Sequence, residues 1–595
     1  LYQIVVHLLI RINLRVINYY ITMIQLLILE KYLVRSRMAQ DKMEVFYSPI
    51  GGAGQIGMNL YLYGYKLPNN ETNWIMVDCG IGFADDYYPG IDIMVPDIDF
   101  LNNKQNNLLA IILTHSHEDH YGAVSSIINN KIDVPIYCTK FTSELLKEKI
   151  SEDYSENYLD IKILKDNAAF SIGKFKCNLI NVAHSIPEPN AINITIGGIN
   201  IIHTADWKID EKPVINRKTD LEKFKKIGNN KCDILVCDST NIFRSEPSIT
   251  ETKVASNLKK AIKGIKGMAI VTTFSSNVSR LISIINAAHS NKRKVVLSGR
   301  SIKRFVKVAK VCGYIDKDIF FIDERDINKN SKKDICLICT GSQGEPNASL
   351  SKIANGRNNI VQLAKDDTVI FSSKTIPGNE NSIGFLKNKI IEYGASIIDD
   401  STQDIHTTGH PSRPEVEKLY NLLKPNTLIP MHGELFHLAE HIKVARENNI
   451  QNPIFAKNGD LVRLYPDSPM LWDQNEPNFY LRDGDIFITP NDRALKDRRR
   501  LQESGVVFIN LVLDKNFILY VDPIVETFGI PNKMDDIDNV LEFIEYKIDD
   551  ALDSLPKAKK SDDDYLIGYI EKNIRNHLFS IWGKKPFIKV CLTFV

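Results

Sequence analysis

Three histidines and two acids crowd into the six positions His115–His120 of "THSHEDHYG", directly behind the apolar run "NLLAIIL". Such a run, closed by polar residues, reads as a buried strand. A polar turn would account for one histidine at its end. It does not account for His115, His117, Asp119 and His120 together. Neutral imidazoles and a carboxylate form the borderline-soft donor set that zinc prefers. The His-x-His spacing lets alternate residues of an extended segment face one ion. The Asp-His pair that follows turns onto the helix start "YGAVSSII" and faces another. Two metal ions need more ligands than this segment owns.

A chain of 595 residues exceeds one hydrophobic core, so two to four domains are expected. Hydrophobic content of 44% and charged content of 25% are those of a globular protein. The net charge of +1 excludes a globally basic nucleic-acid binder; any such surface must be local. Nine scattered cysteines fit reduced thiols, and hence a cytoplasmic protein, better than a disulfide framework. The lone Cys-x-x-Cys, "CLIC" at Cys336–Cys339, lies in an apolar run and is read as strand rather than as a metal or redox site.

Residues 1–42 are apolar, but Arg11 and Arg15 interrupt them before a spanning length is reached, and no small-residue cleavage site follows. They are expected to be an extension outside the fold, upstream of a start at Met38 or Met43, and no membrane association is expected. Residues 43–246 carry short β-rich runs, several ending in His or Asp, the habit of sites built at strand ends. Residues 247–402 alternate helix and strand strictly, which predicts a parallel-sheet α/β unit. Residues 403–466 return to the first pattern with "TLIPMHGE". A linker at 467–484 then leads to a last unit at 485–595, opened by the basic run "NDRALKDRRRL", which is read as a solvated surface or a brace.

The missing ligands lie on the other strand ends. His184 in "NVAHSIPEP", Asp206 in "IIHTADWK" and His432 in "IPMHGE" are each weak alone. Together they complete two shells: His115, His117 and His184 around one ion, Asp119, His120 and His432 around the other, with Asp206 bridging. A bridging carboxylate holds divalent ions about 3.5–4 Å apart in two-metal hydrolytic centres. Asp78 in "MVDCG" is assigned to orienting a ligand from behind. His203 reads as a buried histidine as readily as a ligand.

"HSHEDH", "AHS" and "TAD" resemble the metallo-β-lactamase superfamily, and "CDSTN", "TGSQGEP", "IPGNE", "HTTGHPSR" and "PMHGE" resemble its β-CASP nuclease branch. From Met43 to the end, through "GGAGQIGMN" and "DRRRLQESGVV", the chain is most similar to the bacterial ribonuclease J family. Gln55 stands where that family usually has Glu, and Thr408 where Ser is common. The resemblance implies an αββα sandwich, an inserted β-CASP α/β domain and a small C-terminal α/β domain that assists dimerisation into a homodimer or homotetramer. It also implies two zinc ions per chain and a 5′→3′ exonuclease with endonuclease activity. The expected substrate is single-stranded RNA with a 5′-monophosphate, in RNA maturation and mRNA decay.

For phosphodiester hydrolysis, Asp206 or Asp119 is placed to take the proton of the attacking water, and His410 to donate to a phosphate oxygen or the leaving group. His406, Thr407, Thr408 and the Gly409 backbone are expected to bind the neighbouring phosphate, because glycine lets a main-chain N–H approach an anion closely. Within the resemblance, Ser342 and Gln343 line the RNA channel. A small-molecule metallohydrolase shares the first motif but has no need of the insert or the phosphate loop. A DNA-processing β-CASP enzyme is the nearer rival.

Overall fold

The computed structural model describes residues 43–595 apart from 68–69, 103–105, 130–132, 154–158, 216 and 535–536. The extension at 1–42 therefore lies outside the described residues. Two compact units emerge: residues 95–478 joined by the described residues up to 82, and residues 83–94 joined by 479–595.

The first unit contains a two-sheet sandwich. One sheet runs in the order Met470–Gln474, Asp460–Tyr465, Glu44–Gly51, Leu60–Lys66, Thr72–Val77, Asn106–Ile112, Ile136–Thr139, Ile161–Leu164. The other runs Ala169–Ile172, Phe175–Asn181, Asn190–Ile196, Ile199–His203, Ile234–Asp238, Thr427–Met431, Asn452–Pro453. Side chains alternate between faces along a strand. Ile234 and Val236 thus enter the core between the sheets, with Tyr63, Ile112 and Ile429. Leu235 and Cys237 point the other way, against Phe224, Leu419 and Val444 of the outer helices. Both faces are covered, which is why these strands read as unbroken apolar runs. Each such side chain contributes about 1.5–3 kcal/mol on burial.

The insert has a five-stranded parallel sheet in the order Lys294–Ser298, Ile335–Cys339, Ala269–Thr272, Thr368–Phe371, Ser396–Ile398. Helices Glu251–Lys263, Val278–Ser290, Arg300–Val311 and Glu380–Glu392 supply the crossovers that parallel strands require. Thr250 and Asn277 cap the first two by accepting from backbone N–H groups. Cys336 and Cys339 are buried in their strand, and among the described residues they join no metal-type cluster. No helix of the described residues is long and apolar enough to cross a membrane.

In the second unit, helices Val540–Ser554 and Asp563–Trp582 pack on the sheet Ile524–Phe528, Val506–Leu513, Phe587–Phe594. Sequence boundaries placed residues 83–94 in the sandwich; here they cluster with this unit, where Ile91 packs on Leu481 and Leu495. The basic run forms the helix Arg493–Ser504 and braces that segment. Arg499 stacks 4.2 Å over the Tyr87 ring. Arg498 pairs with Asp483 at 2.6 Å and donates to the Pro89 carbonyl.

Candidate metal centre

Strand register brings distant ligands to one sandwich edge. Val77 pairs in parallel with Ile112, so Asp78 and His115 leave the same end of one sheet. In the other sheet His203 pairs with Val236 and Asp238 with Met431, also in parallel, so Asp206, Asp238 and His432 emerge together. Asp78, Ala205 and His432 take left-handed backbone angles, φ 62°, 48° and 52°, where the chain turns sharply out of its strands. Such conformations cost on the order of 1–2 kcal/mol each for L-residues.

Seven expected ligands converge, as two groups that share an edge. His117 Nδ1 lies 3.2 Å from His115 Nε2 and 3.0 Å from His184 Nε2. Asp206 Oδ2 lies 3.6 Å from His115 Nε2 and 3.4 Å from His184 Nε2. On the other side, Asp119 Oδ2 is 3.3 Å from His432 Nε2 and 3.7 Å from His120 Nε2. Asp206 Oδ1 is 3.2 Å from His120 Nε2 and 3.7 Å from His432 Nε2. A tetrahedral ion with bonds of about 2.0–2.1 Å separates its ligand atoms by about 3.3–3.4 Å. The cluster has that spacing on both sides of Asp206.

The ring nitrogens that face away from the cluster are all engaged. Asp78 Oδ2 accepts from His120 Nδ1 at 2.7 Å, and also from the Thr114 hydroxyl, which leaves that oxygen to accept from His115 Nδ1 at 3.0 Å. The Gly409 carbonyl accepts from His184 Nδ1 at 2.6 Å. Thr240 Oγ1 donates to Asp238 and accepts from His432 Nδ1 at 2.6 Å. His117 Nε2 faces the Ser185 hydroxyl at 3.3 Å. These contacts orient the rings and turn one nitrogen of each inward, the arrangement of metal-ligating histidines. Asp206 Oδ1, buried, accepts no hydrogen bond among the described residues. A buried carboxylate oxygen without a donor is costly unless a cation takes it. The residues fit a divalent metal pair.

Charge follows the same division. Burial holds His115 and His184 well below the usual histidine range and His117 at about 4, so these rings are neutral, the form in which an imidazole can bind a metal. His120 and His432 are pushed up: burial opposes this, but Asp206 and Asp119 outweigh it. Asp119 and Asp206 stay ionised against burial because His120 and His432 face them. Metal uptake there displaces protons.

His410 stands beside the cluster. Its Nδ1 is 2.8 Å from Asp238 Oδ2 and its Nε2 3.8 Å from Asp206 Oδ2. Burial lowers its pKa, but Asp238 and Asp206 win and lift it to about 9, making it a cation at neutral pH. Asn241 Nδ2 donates to Thr408 Oγ1 at 2.7 Å and sets the loop before it. Thr407 Oγ1 is committed to the Ile249 carbonyl at 2.7 Å. Gly409 has a steric reason of its own: a Cβ there would sit 2.5 Å from the His184 ring. Gln343 spends its amide joining "TGSQGEP" to "SSKTIPGNE", donating to the Lys374 carbonyl at 2.9 Å and accepting from Ile376 N at 2.9 Å; Ser342 beside it is buried. His203 is buried 3.0 Å from the Tyr63 hydroxyl.

Sequence reasoning overlooked several positioning groups. Asn59 Nδ2 reaches Asp119 Oδ2 at 3.2 Å and His120 Nε2 at 3.0 Å. Asp238 ends an apolar strand in "CDSTN", the same signal that exposed Asp206 in "TAD". Arg280 is fully buried. It pairs with Glu251 at 3.2 Å and donates to Ser372 Oγ at 2.8 Å and the Ile405 carbonyl at 3.1 Å. His406 Nδ1 lies 3.4 Å from Arg280 Nη1, and burial with that charge holds His406 neutral. The only sequence trace of Arg280 was a charge within the apolar helix "VSRLISIINAA".

Comparison with known proteins matches four stretches of the chain to family models. Family models match residues 73–272 as a β-lactamase superfamily domain and 266–390 as a ribonuclease J β-CASP domain. Residues 399–455 match a Zn-dependent metallo-hydrolase RNA specificity domain, and 493–595 a ribonuclease J C-terminal domain. Ribonuclease J of Sinorhizobium meliloti (strain Sm2011) is 38% identical over 556 residues, 93% of this chain and 98% of that protein. Ribonuclease J2 of Bacillus subtilis (strain 168) is 31% identical over 469 residues, 78% and 83% of the two chains. A crystal structure of a protein of unknown function from Enterococcus faecalis V583 shares the fold at TM-score 0.51 and 16% identity, covering 71% of this chain and 100% of that one.

Proposed function

The chain belongs to the ribonuclease J family, and on that premise we propose that it is a two-zinc ribonuclease acting 5′→3′ on single-stranded RNA with a 5′-monophosphate. It also cuts internally, and works in the cytoplasm in RNA maturation and mRNA decay as a homodimer or homotetramer. The observation that carries the reading is the buried cluster around Asp206, with the inward nitrogens of five histidines converging on its carboxylates and every outward nitrogen engaged. His115, His117 and His184 would hold one ion and Asp119, His120 and His432 the other, with one oxygen of Asp206 toward each. Bound there, the pair supplies an activated water and polarises the phosphate.

The chain's own residues do the rest. Asp206 and Asp119, held ionised, are the acceptors for the water's proton. His410, charged and aimed by Asp238, donates from Nε2 to the phosphate oxygen or the departing hydroxyl. His406 is neutral with Nδ1 turned to Arg280, which leaves its Nε2–H to donate to an adjacent phosphate. Thr408 and the Gly409 N–H flank it. Ser342 and Gln343 support the channel wall rather than gripping RNA directly, since the Gln343 amide is already bonded.

The test uses purified full-length protein with labelled single-stranded RNA and DNA, each with 5′-monophosphate or 5′-hydroxyl, with and without chelator. Zinc per chain is measured on the same samples. RNA cleavage that requires zinc and favours the monophosphate supports the reading. Full activity of Asp206→Ala, or equal cleavage of DNA, would overturn it.

A further inference from the structure

A patch outside the metal cluster has no role in what precedes. Phe243 and Phe436 are 56% and 59% exposed, and Leu435 beside them 48%. Isolated exposed apolar residues need no explanation; a contiguous group of them does. The rings form one assembly. Phe243 lies 5.8 Å from Phe436 at an interplanar angle of 31°. His437 wedges beneath both, 4.1 Å from Phe436 and 5.5 Å from Phe243.

The position of the patch argues for its occupant. Phe243 follows two residues after Asn241, which bonds Thr408 of the phosphate loop. Phe436 follows four residues after the ligand His432. The link is tight: a Cβ on Gly433 would sit 2.9 Å from His437 Cβ, so the patch is packed against the residue next to His432. Both rings thus sit on the segments that carry His432 and the partner of the phosphate loop. Bases of a single strand have unpaired faces, and stacking grips them whatever their identity. A net charge of +1 gives little long-range pull on a polyanion, so base contacts must carry a share of binding.

We propose that Phe243 and Phe436, propped by His437, are a base-stacking platform for nucleotides of single-stranded RNA flanking the scissile phosphate. The proposal rests on the ribonuclease reading above. One stacked base is worth about 1–3 kcal/mol, or about 5- to 150-fold in affinity.

The experiment compares Phe243→Ala, Phe436→Ala and the two leucine counterparts on defined single-stranded RNA, with zinc content and circular dichroism measured alongside. The alanine variants should raise KM by that factor at unchanged zinc, and leucine should restore little of it. A series of RNAs with one abasic ribose at successive positions should show a position where wild type loses affinity and the alanine variants lose no more. KM within twofold of wild type in both alanine variants would overturn the platform and leave the patch to a protein partner. Full rescue by leucine would overturn it too, because an apolar side chain without a ring would then suffice. A wild-type protein that cleaves no RNA overturns the ribonuclease reading itself, a different result from active protein with indifferent variants.

Discussion

Replacing Gly409 with alanine is the sharpest test of how the metal cluster is held. The added Cβ would sit 2.5 Å from His184 Cε1 and 2.7 Å from Nδ1, where ordinary carbon contacts lie at about 3.5–4.0 Å. The ring has little room to yield. Its Nδ1 is pinned to the Gly409 carbonyl at 2.6 Å, and its Nε2 lies 3.0 Å from His117 Nδ1. A shift of about 1 Å breaks the hydrogen bond that sets the His184 tautomer. Losing such a partner costs about 10–100-fold in metal affinity, or about 1.4–2.8 kcal/mol. The assay is zinc per chain across a chelator-buffered zinc series, with single-turnover RNA cleavage at each point. One zinc should bind about 10- to 100-fold more weakly, the other normally, and excess zinc should restore cleavage. Unaltered zinc affinity with unaltered cleavage would refute the reasoning. Full zinc occupancy with loss of 5′-phosphate preference alone would show that Gly409 acts through its N–H on the substrate.

Four further outcomes are expected. His410→Ala should keep both zinc ions yet cleave about 10²–10⁴-fold more slowly. Because His410 is lifted to about 9, its proton is present below that pH and lost as pH rises through it. Asp238→Asn removes the nearer carboxylate and should move the alkaline limb of the rate profile down by about 1–3 pH units; an unmoved limb would show that His410 is not the donor. Arg280→Met leaves Glu251 buried without its partner and should cost about 3–5 kcal/mol in calorimetry. Adding Glu251→Leu should recover most of this, while discrimination for the 5′-phosphate stays impaired because the Ile405 carbonyl and His406 Nδ1 no longer face the guanidinium; a double variant with wild-type selectivity would remove Arg280 from positioning the loop. His441 is buried beside Ser239 with its pKa held down at about 3, so it folds neutral and binds a proton only when unfolded in the acid range. Its stability contribution is complete above about pH 6.5 and falls by about 1.4 kcal/mol per pH unit below it. His441→Asn should flatten denaturant-measured stability between pH 6 and 4, about the window in which that histidine takes up its proton.

How much of this was legible in the chain follows from where each signal is stored. His115, His117, Asp119 and His120 declare themselves because a strand end and a turn present all four expected ligands within six residues. His184, Asp206 and His432 could be added because each ends an apolar run, and the alternating pattern of the insert announced its parallel sheet. Local periodicity and residue chemistry suffice for such features. Sequence could not say that the Gly409 carbonyl orients His184, or that Thr240 and Asp238 orient His432 and His410. Those contacts join positions far apart in the chain, and the one to His432 exists because Asp238 and Met431 are register partners on parallel strands. Arg280 was invisible for the same reason: a charge on a helix looks solvated until packing buries it against Glu251, Ser372 and Ile405. Residues 83–94 carry no ligand and little pattern, so only the packing of Ile91 and Tyr87 assigned them to the C-terminal unit. The expected ligands were written in the sequence, and the partners that orient them were decided by tertiary packing.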